Sequence, residues 1–371
     1  RKIMGLRGCT LEKMVVNSNF WKNKKVLLTG HTGFKGSWLS IWLKKLEVEL
    51  IGFSKDIPTK PSLFELAKVS ENMVSIIGDI RNFSVIQKII QENQPEIIIH
   101  MAAQPLVRKS YEDPLETFST NIMGTANLLE SVKISEKTRI IINVTSDKCY
   151  KNNGTKEKFS ENSPMGGYDP YSSSKACSEL VTSSYRDSFF NPKEHHKHNV
   201  SLATCRAGNV IGGGDWSKDR LIPDIMRGIL NNEIIKIRNP NAIRPWQHVL
   251  DPLNGYLTLA EKMWSAGNEF SEGWNFGPLE EDEKSVKWIA EKLTKQWSND
   301  IKLNVDDNIN PHEENSLRLN CIKANSRLGW ISKLNLEQGL EWVVEWYKQY
   351  KQNNNMKKIT EQQIEEFQKL S

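Results

Sequence analysis

A short apolar run, three evenly spaced glycines and a helix-patterned segment succeed one another without a break between Lys24 and Lys45. Lys24-Lys-Val-Leu-Leu-Thr29 suits a buried strand, and Ser37-Trp-Leu-Ser-Ile-Trp-Leu-Lys-Lys45 places its apolar residues at helical spacing. Between them stand Gly30, Gly33 and Gly36, one residue away from the commonest dinucleotide-binding spacing. The physics is the same: Gly30 for the turn, Gly33 for close approach of backbone to a pyrophosphate, Gly36 for packing of helix on strand. The anion then meets the helix N-terminus.

The same alternation of strand and helix recurs downstream. Residues 47–53, 73–77, 95–100 and 139–145 read as strands, and Pro114 to Val132 reads as an amphipathic helix carrying Asn121. Strands alternating with helices predict an α/β fold, a Rossmann-type doubly wound parallel sheet. Past the second strand, where a ribose-binding acid is expected, stand Ser54 and Lys55, with Asp56 slightly late. Lys55 could favour a 2′-phosphate, so these residues leave NAD and NADP both open.

The strand Arg139 to Thr145 delivers Ser146 at its carboxyl end, where an open α/β sheet presents ligands. Tyr-Asp-Pro-Tyr-Ser-Ser-Ser-Lys at 168–175 then opens a helix, with Ser172, Ser173 and Ser174 suited to its cap and first turn. Tyr171 and Lys175 are i and i+4 on one face. A cation beside a phenol lowers a pKa that is otherwise about 10, which would let Tyr171 act as a base on a sugar hydroxyl.

Beyond residue 190 the pattern changes. Asn191 to Asn199 is a polar insertion whose histidines read as a solvated loop, with no metal site expected. Residues 200–207 form a further strand, and the glycines of 208–214 suit a loop closing over substrate. Arg220, Arg227, Arg238 and Arg244 recur behind it, and forked guanidiniums suit a diphosphate. Residues 285–346 are helix-rich, with Trp330, Trp342 and Trp346 expected in the core. The expected organisation is a poorly ordered leader at 1–17 and a cofactor-binding domain at 18–195, with room for about 237–275 to return to it. A smaller substrate domain, mainly 196–350, and a tail with a short helix at 351–371 complete it.

A net charge of +5 with interleaved signs gives no nucleic-acid footprint. The five cysteines are scattered without a Cys-x-x-Cys pair, which argues against disulfides and zinc and for a reducing cytoplasm. No run approaches the ~18 apolar residues of a membrane helix.

The motifs at 29–38, 100–108, 145–150, 168–179, 206–216 and 244–249 together resemble the extended short-chain dehydrogenase/reductase family, in its nucleotide-sugar dehydratase branch. The resemblance implies NAD as cofactor, a nucleotide sugar (CDP-glucose first) as substrate, and a homodimer or tetramer. It implies Ser146, Tyr171 and Lys175 as the catalytic set, with Asp147 as the acid that protonates a leaving hydroxyl. Lys148 stands where related dehydratases carry a glutamate base. Cofactor contacts are implied at Gly30, Thr32, Gly33, Phe34, Lys35, Gly36, Asp79, Ile80, Ala102, Ala103, Gln104, Asn121, Thr145, Tyr171 and Lys175. Substrate contacts are implied at Arg108, Asn209, Arg220, Arg244 and His248. The expected activity is 4,6-dehydration, in supply of deoxysugars for surface polysaccharide such as lipopolysaccharide O-antigen. Another nucleotide-sugar 4,6-dehydratase, a 4-epimerase on the same fold and a silent dinucleotide sensor are the rivals.

Overall fold

The computed structural model describes residues 16–154, 157–298, 301, 303–305 and 317–370. Seven parallel strands form the central sheet: β1 (Lys25–Thr29), β2 (Glu49–Ser54), β3 (Val74–Ile77), β4 (Ile97–His100), β5 (Ile140–Val144), β6 (Ser201–Ala207) and β7 (Gly273–Phe276). Their order is β7-β6-β5-β4-β1-β2-β3. The chain runs outward from β1 through β2 to β3, then returns to β4 and runs the other way. The reversal falls between β1 and β4, where Thr29 pairs with His100, and a crevice opens there at the strands' carboxyl ends.

The middle strands are apolar along their whole length because both sheet faces are covered. Alternation divides each strand between two cores: Val26, Leu28, Ile97, Ile99, Ile140 and Ile142 pack on one face. Leu27, Ile98 and Ile141 pack on the other.

Two strands of the sheet, β6 and β7, come from beyond residue 195, and the helix Leu250–Ala266 packs against β5 and β6. Outside the sheet, among the described residues, stand three small strand pairs: Val210–Ile211 with Gln247–His248, Ile235–Ile237 with Leu303–Val305, and Ile243–Pro245 with Glu283–Ser285. The helix Val286–Trp297 stands outside it as well. Trp330 and Trp346 are buried as expected, whereas Trp342 is only half-buried.

The tail is more than a short appendage. The helix Leu336–Lys351 is followed by Met356–Lys369, which is capped by Asn355 and buries Ile364 and Phe367. Of the expected leader, residues 1–15 lie outside the described residues. Val16 is buried and Asn17 caps the helix Ser18–Trp21.

Candidate active site

The glycine loop leads from β1 into α1 (Phe34–Lys45), whose N-cap is Gly33 with no side-chain cap, so the first-turn N–H groups keep their affinity for an anion. Gly30 has φ +79°, and a Cβ on it would come within 2.8 Å of the Met101 carbonyl carbon. A Cβ on Gly36 would lie 2.0 Å from the Gly30 carbonyl oxygen. Neither position admits another residue, which locks the loop against the start of the β4 exit.

A cleft of about 870 Å³ opens over this loop. Gly30, Thr32, Gly33, Phe34, Lys35, Gly36, Asp79, Ile80, Ala102, Ala103 and Gln104 all line it. Thr32 donates its hydroxyl to the Asp56 carbonyl (2.6 Å), so the late aspartate braces the loop through its backbone. Asp79 holds Arg81, and that pairing keeps its carboxyl below the usual range. Lys55 is committed to Glu116 at 2.8 Å, and Lys109 takes the other Glu116 oxygen at 2.7 Å. Hydrogen bonds from Lys109 and Lys55 bring the Glu116 carboxyl down to about 2.

A smaller cleft, about 270 Å³, adjoins the first, and Phe34, Lys35 and Arg220 line both. Ser146, Asp147, Lys148, Tyr171, Arg108, Asn209 and Arg244 line the smaller one. Ser146 caps the turn Asp147–Cys149: its Oγ accepts from the Lys148 N–H (3.2 Å) and donates to Asp147 Oδ1 (3.0 Å). The Tyr171 hydroxyl faces Ser146, and that polar contact draws the phenol down. Asp147 is buried, and among the described residues its Oδ2 has no hydrogen-bond partner. Burial raises its carboxyl, against the opposing pull of Lys148 and Arg244. A carboxyl so placed can hold a proton and release it to a group arriving in the cleft.

Gly208 makes room for this carboxylate, since a Cβ there would sit 2.0 Å from Asp147 Oδ2. Gly208→Ala is therefore expected to displace the Asp147 side chain. The cost is about 1–3 kcal/mol of overpacking, and turnover falls at least tenfold. Thermal melting together with steady-state kinetics checks this, and an unchanged turnover would show that the carboxylate's position is immaterial.

Tyr171 and Lys175 lie on the buried face of α2 (Pro170–Ser188) as expected. The cap differs from expectation: Asp169, not a serine, accepts from the Ser172 N–H (2.9 Å), with Pro170 in the first turn. The expected lowering of Tyr171 is not found. Burial pushes its phenol up to about 12, outweighing the Ser146 contact. Burial and the neighbouring Lys35 charge bring Lys175 down to about 7, and its Nζ donates to the Val144 carbonyl (3.3 Å).

Three of the expected contact residues are spent on the fold. Asn121 sits in a π-helical turn, Ser119–Met123, inside the long helical run, a distortion typical of functional regions. Its amide spans the Gln104 backbone and Ser174 Oγ, fixing the cleft-lining segment to α2. Thr145 donates to Glu179 Oε1 at 2.5 Å. His248 is buried edge-on between Trp38 and Trp342, and burial lowers it to about 3. Neither these three nor Lys175 lines either cleft.

Sequence reasoning missed Glu179. It is buried one helical turn beyond Lys175, and it accepts from Thr145, Thr204 and both Arg206 Nε and Nη2. Its spacing of four from Lys175 and eight from Tyr171 was the available signal. The histidine-rich stretch forms a short helix, His195–His198, whose rings meet Ser201 Oγ and the Asn191 carbonyl. Among the described residues no set of ligands is placed to hold a metal ion, and Cys149, Cys177, Cys205 and Cys321 are free. Among the same residues no helix is long and apolar enough to cross a membrane.

An open parallel sheet with a glycine loop at its switch point, and a Ser–Tyr–Lys set at the end of the neighbouring strand, define a short-chain dehydrogenase/reductase of the extended type. The chain belongs to the family described as GDP-mannose 4,6 dehydratase, whose model matches residues 27–343. It is similar to the CDP-glucose 4,6-dehydratase of Salmonella typhimurium, 51% identical over 353 residues that span 95% of this chain and 98% of that protein. It is also 27% identical to human dTDP-D-glucose 4,6-dehydratase, over 91% of this chain and 94% of that protein. Among solved structures, UDP-glucose 4-epimerase from Thermotoga maritima with UDP-glucose aligns with a TM-score of 0.76 at 20% identity, covering 88% of this chain and 99% of that one. dTDP-glucose 4,6-dehydratase from Bacillus anthracis in complex with NAD aligns at 0.71 and 23%, covering 89% and 98%. At these identities the two structures speak for the fold.

Proposed function

We propose that the chain is an NAD-dependent dehydratase that converts CDP-glucose to CDP-4-keto-6-deoxyglucose and water. The observation that carries this reading is Asp147: a buried carboxyl, raised by burial, with one oxygen unpartnered among the described residues, beside Ser146 and Tyr171. An epimerase or simple dehydrogenase needs the Ser–Tyr–Lys set but no acid beside it. Kinship with the CDP-glucose enzyme points the same way. A silent sensor would have no use for the Tyr171–Ser146–Asp147 contacts.

The larger cleft fits NAD: the glycine cradle faces an uncapped helix N-terminus, and Lys55, the cation at the second strand's end, is held by Glu116, away from any 2′-phosphate. Gly30, Gly33 and Gly36 would hold the pyrophosphate, Asp79 and Ile80 the adenosine end, and Lys175 the nicotinamide ribose. When bound, NAD supplies an acceptor for the hydride of sugar C4 and its return to C6. To take the proton of the 4-hydroxyl, Tyr171 must first ionise against its burial, which the positive charge of a bound nicotinamide would favour, while Ser146 hydrogen-bonds the same oxygen. The ketone so formed acidifies the C5 proton, and Asp147 protonates the departing C6 hydroxyl. Arg220 and Arg244 would hold the diphosphate, with Arg108 and Asn209 at the cleft wall. In this reading residues 18–195, with β6, β7 and Leu250–Ala266, form the cofactor-binding part, and the remainder of 196–350 chiefly serves the nucleotide sugar.

Lys148 lines the same cleft beside Asp147. A pairing with Glu161 would have made it structural, but Glu161 Oε1 accepts from the Asn275 N–H (3.0 Å) instead. We assign Lys148 to elimination, as base for C5 or as partner of the enolate at O4. Lys148→Met is expected to slow elimination roughly 100-fold and leave C4 oxidation nearly intact. Solvent deuterium entering C5 and NADH accumulation, followed in one sample, check this. If both match the wild type, Lys148 is structural.

The product is a nucleotide-activated ketosugar, chemically ready for further conversion, which suits deoxysugar supply to lipopolysaccharide O-antigen in the cytoplasm. Outward Leu115, Met123 and Leu180 on adjoining helices support a homo-oligomer. Incubation with CDP-, dTDP-, UDP- and GDP-hexoses, read by the alkaline absorbance of a 4-keto sugar, tests the reaction. Turnover of none of them overturns it.

A further inference from the structure

The smaller cleft contains a charged cluster that the chemistry above leaves unused. Asp219, Asp224 and Arg238 line it, drawn from the turn before α3 (Leu221–Asn231), from α3 itself and from just past Ile235–Ile237. Arg238 bridges the two acids, with Nη1 2.8 Å from Asp219 Oδ1 and Nη2 3.5 Å from Asp224 Oδ2. Arg108 Nε also approaches Asp219 Oδ1, at 3.6 Å. Asp224 is engaged through both oxygens, since Arg227 takes its Oδ1. Asp219 is different: among the described residues its side chain accepts a hydrogen bond only at Oδ1, from Arg238 Nη1, and Arg108 Nε approaches the same oxygen.

The cluster shares its cleft with Ser146, Asp147, Tyr171, Arg220 and Arg244. Arg244 draws the Asp147 carboxyl down and Arg220 draws the Tyr171 phenol down, as charges facing the reacting groups do. Asp224 feels Arg227, Arg238 and Asp219 instead. A nucleotide sugar is read in the order sugar, diphosphate, nucleoside. With the sugar at Tyr171 and the diphosphate at the nearer arginines, the nucleoside falls to Asp219 and Arg238. Leu221, Pro223 and Val286 line the same cleft and offer apolar surface to a flat ring.

Cytosine presents a 4-amino donor beside acceptors at N3 and O2. Uracil and thymine reverse this edge, with an acceptor at O4 and a donor at N3. With the carboxylate facing ring position 4 and the guanidinium facing N3 or O2, the pair matches the first pattern and repels the second. We infer that Asp219 accepts from the cytosine 4-amino group while Arg238 donates to N3 or O2, so that this pair selects cytidine over uridine and thymidine nucleotides. The inference rests on the CDP-glucose reading for the identity of the ligand, but its test needs no turnover.

The test is calorimetric titration of the NAD-loaded enzyme with CDP and with UDP, for the wild type, Asp219→Asn and Arg238→Gln. A site built around one hydrogen-bond pattern can reject the wrong one by up to ~10⁴. The wild type is expected to bind CDP at least ~100-fold tighter than UDP, and either variant to bring the ratio within ~10-fold. Asparagine tolerates the left-handed backbone at 219, where φ is +61°, so Asp219→Asn keeps the turn. Equal binding of CDP and UDP by the wild type, or an unchanged ratio in both variants, overturns the inference. If the variants lose a preference that the wild type has, yet CDP-glucose is not dehydrated, the base reading stands and the dehydratase reading falls. If CDP-glucose is dehydrated and the ratio ignores both substitutions, the reverse holds.

Discussion

Tyr171→Phe is expected to fold normally and to lose about 10³-fold in the first oxidation step. The phenol is buried on α2 and faces Ser146, so its loss removes the acceptor for the 4-hydroxyl proton while leaving the ring's packing in place. The stability cost is one buried polar contact, about 1 kcal/mol. The measurement is the rise of NADH-like absorbance on mixing with CDP-glucose, alongside a melting curve. A wild-type rate in the variant would sink the assignment of Tyr171 as base. The lysine prediction differs in kind, because Lys148→Met spares this step.

Asp147→Asn is expected to pass the oxidation step and stall at elimination, with product release reduced about 10³-fold. The carboxamide keeps the volume beside Gly208 and can still bond Ser146, but it has no proton to give at useful cost. Burial is what fits the native carboxyl for the task, since it raises the carboxyl and so favours its protonated form. A quenched reaction should yield 4-keto-glucose nucleotide with reduced cofactor still bound. Normal release of the 4-keto-6-deoxy product would transfer the acid's role to another group.

The outline of this molecule is legible in the sequence because its signals are local. The glycine spacing, the apolar strands and the Tyr171/Lys175 pair each lie within a few residues of chain. The features that sequence reasoning leaves open depend on partners far away. Whether Asn121, Thr145 and His248 face a ligand or a neighbour is decided by Ser174, Glu179 and two tryptophans, none of them adjacent in sequence. Tyr171's protonation escapes for a related reason: residue spacing shows a nearby cation but not the loss of water around both groups.

The Glu179–Arg206 pair joins the helix of the catalytic tyrosine to the sheet. It is almost wholly buried, at 5% and 6% side-chain exposure, with 2.8 Å between the charges. Removing either partner strands a charge in the interior, at a cost of ~3–5 kcal/mol, and exchanging both for apolar residues would still leave the buried Thr145 and Thr204 hydroxyls without their acceptor. The two positions are thus a single inherited unit. The one-step paths away from the pair pass through a protein close to unfolding. The helix that presents Tyr171 is therefore protected from drift by an arithmetic of charge that no substrate enforces.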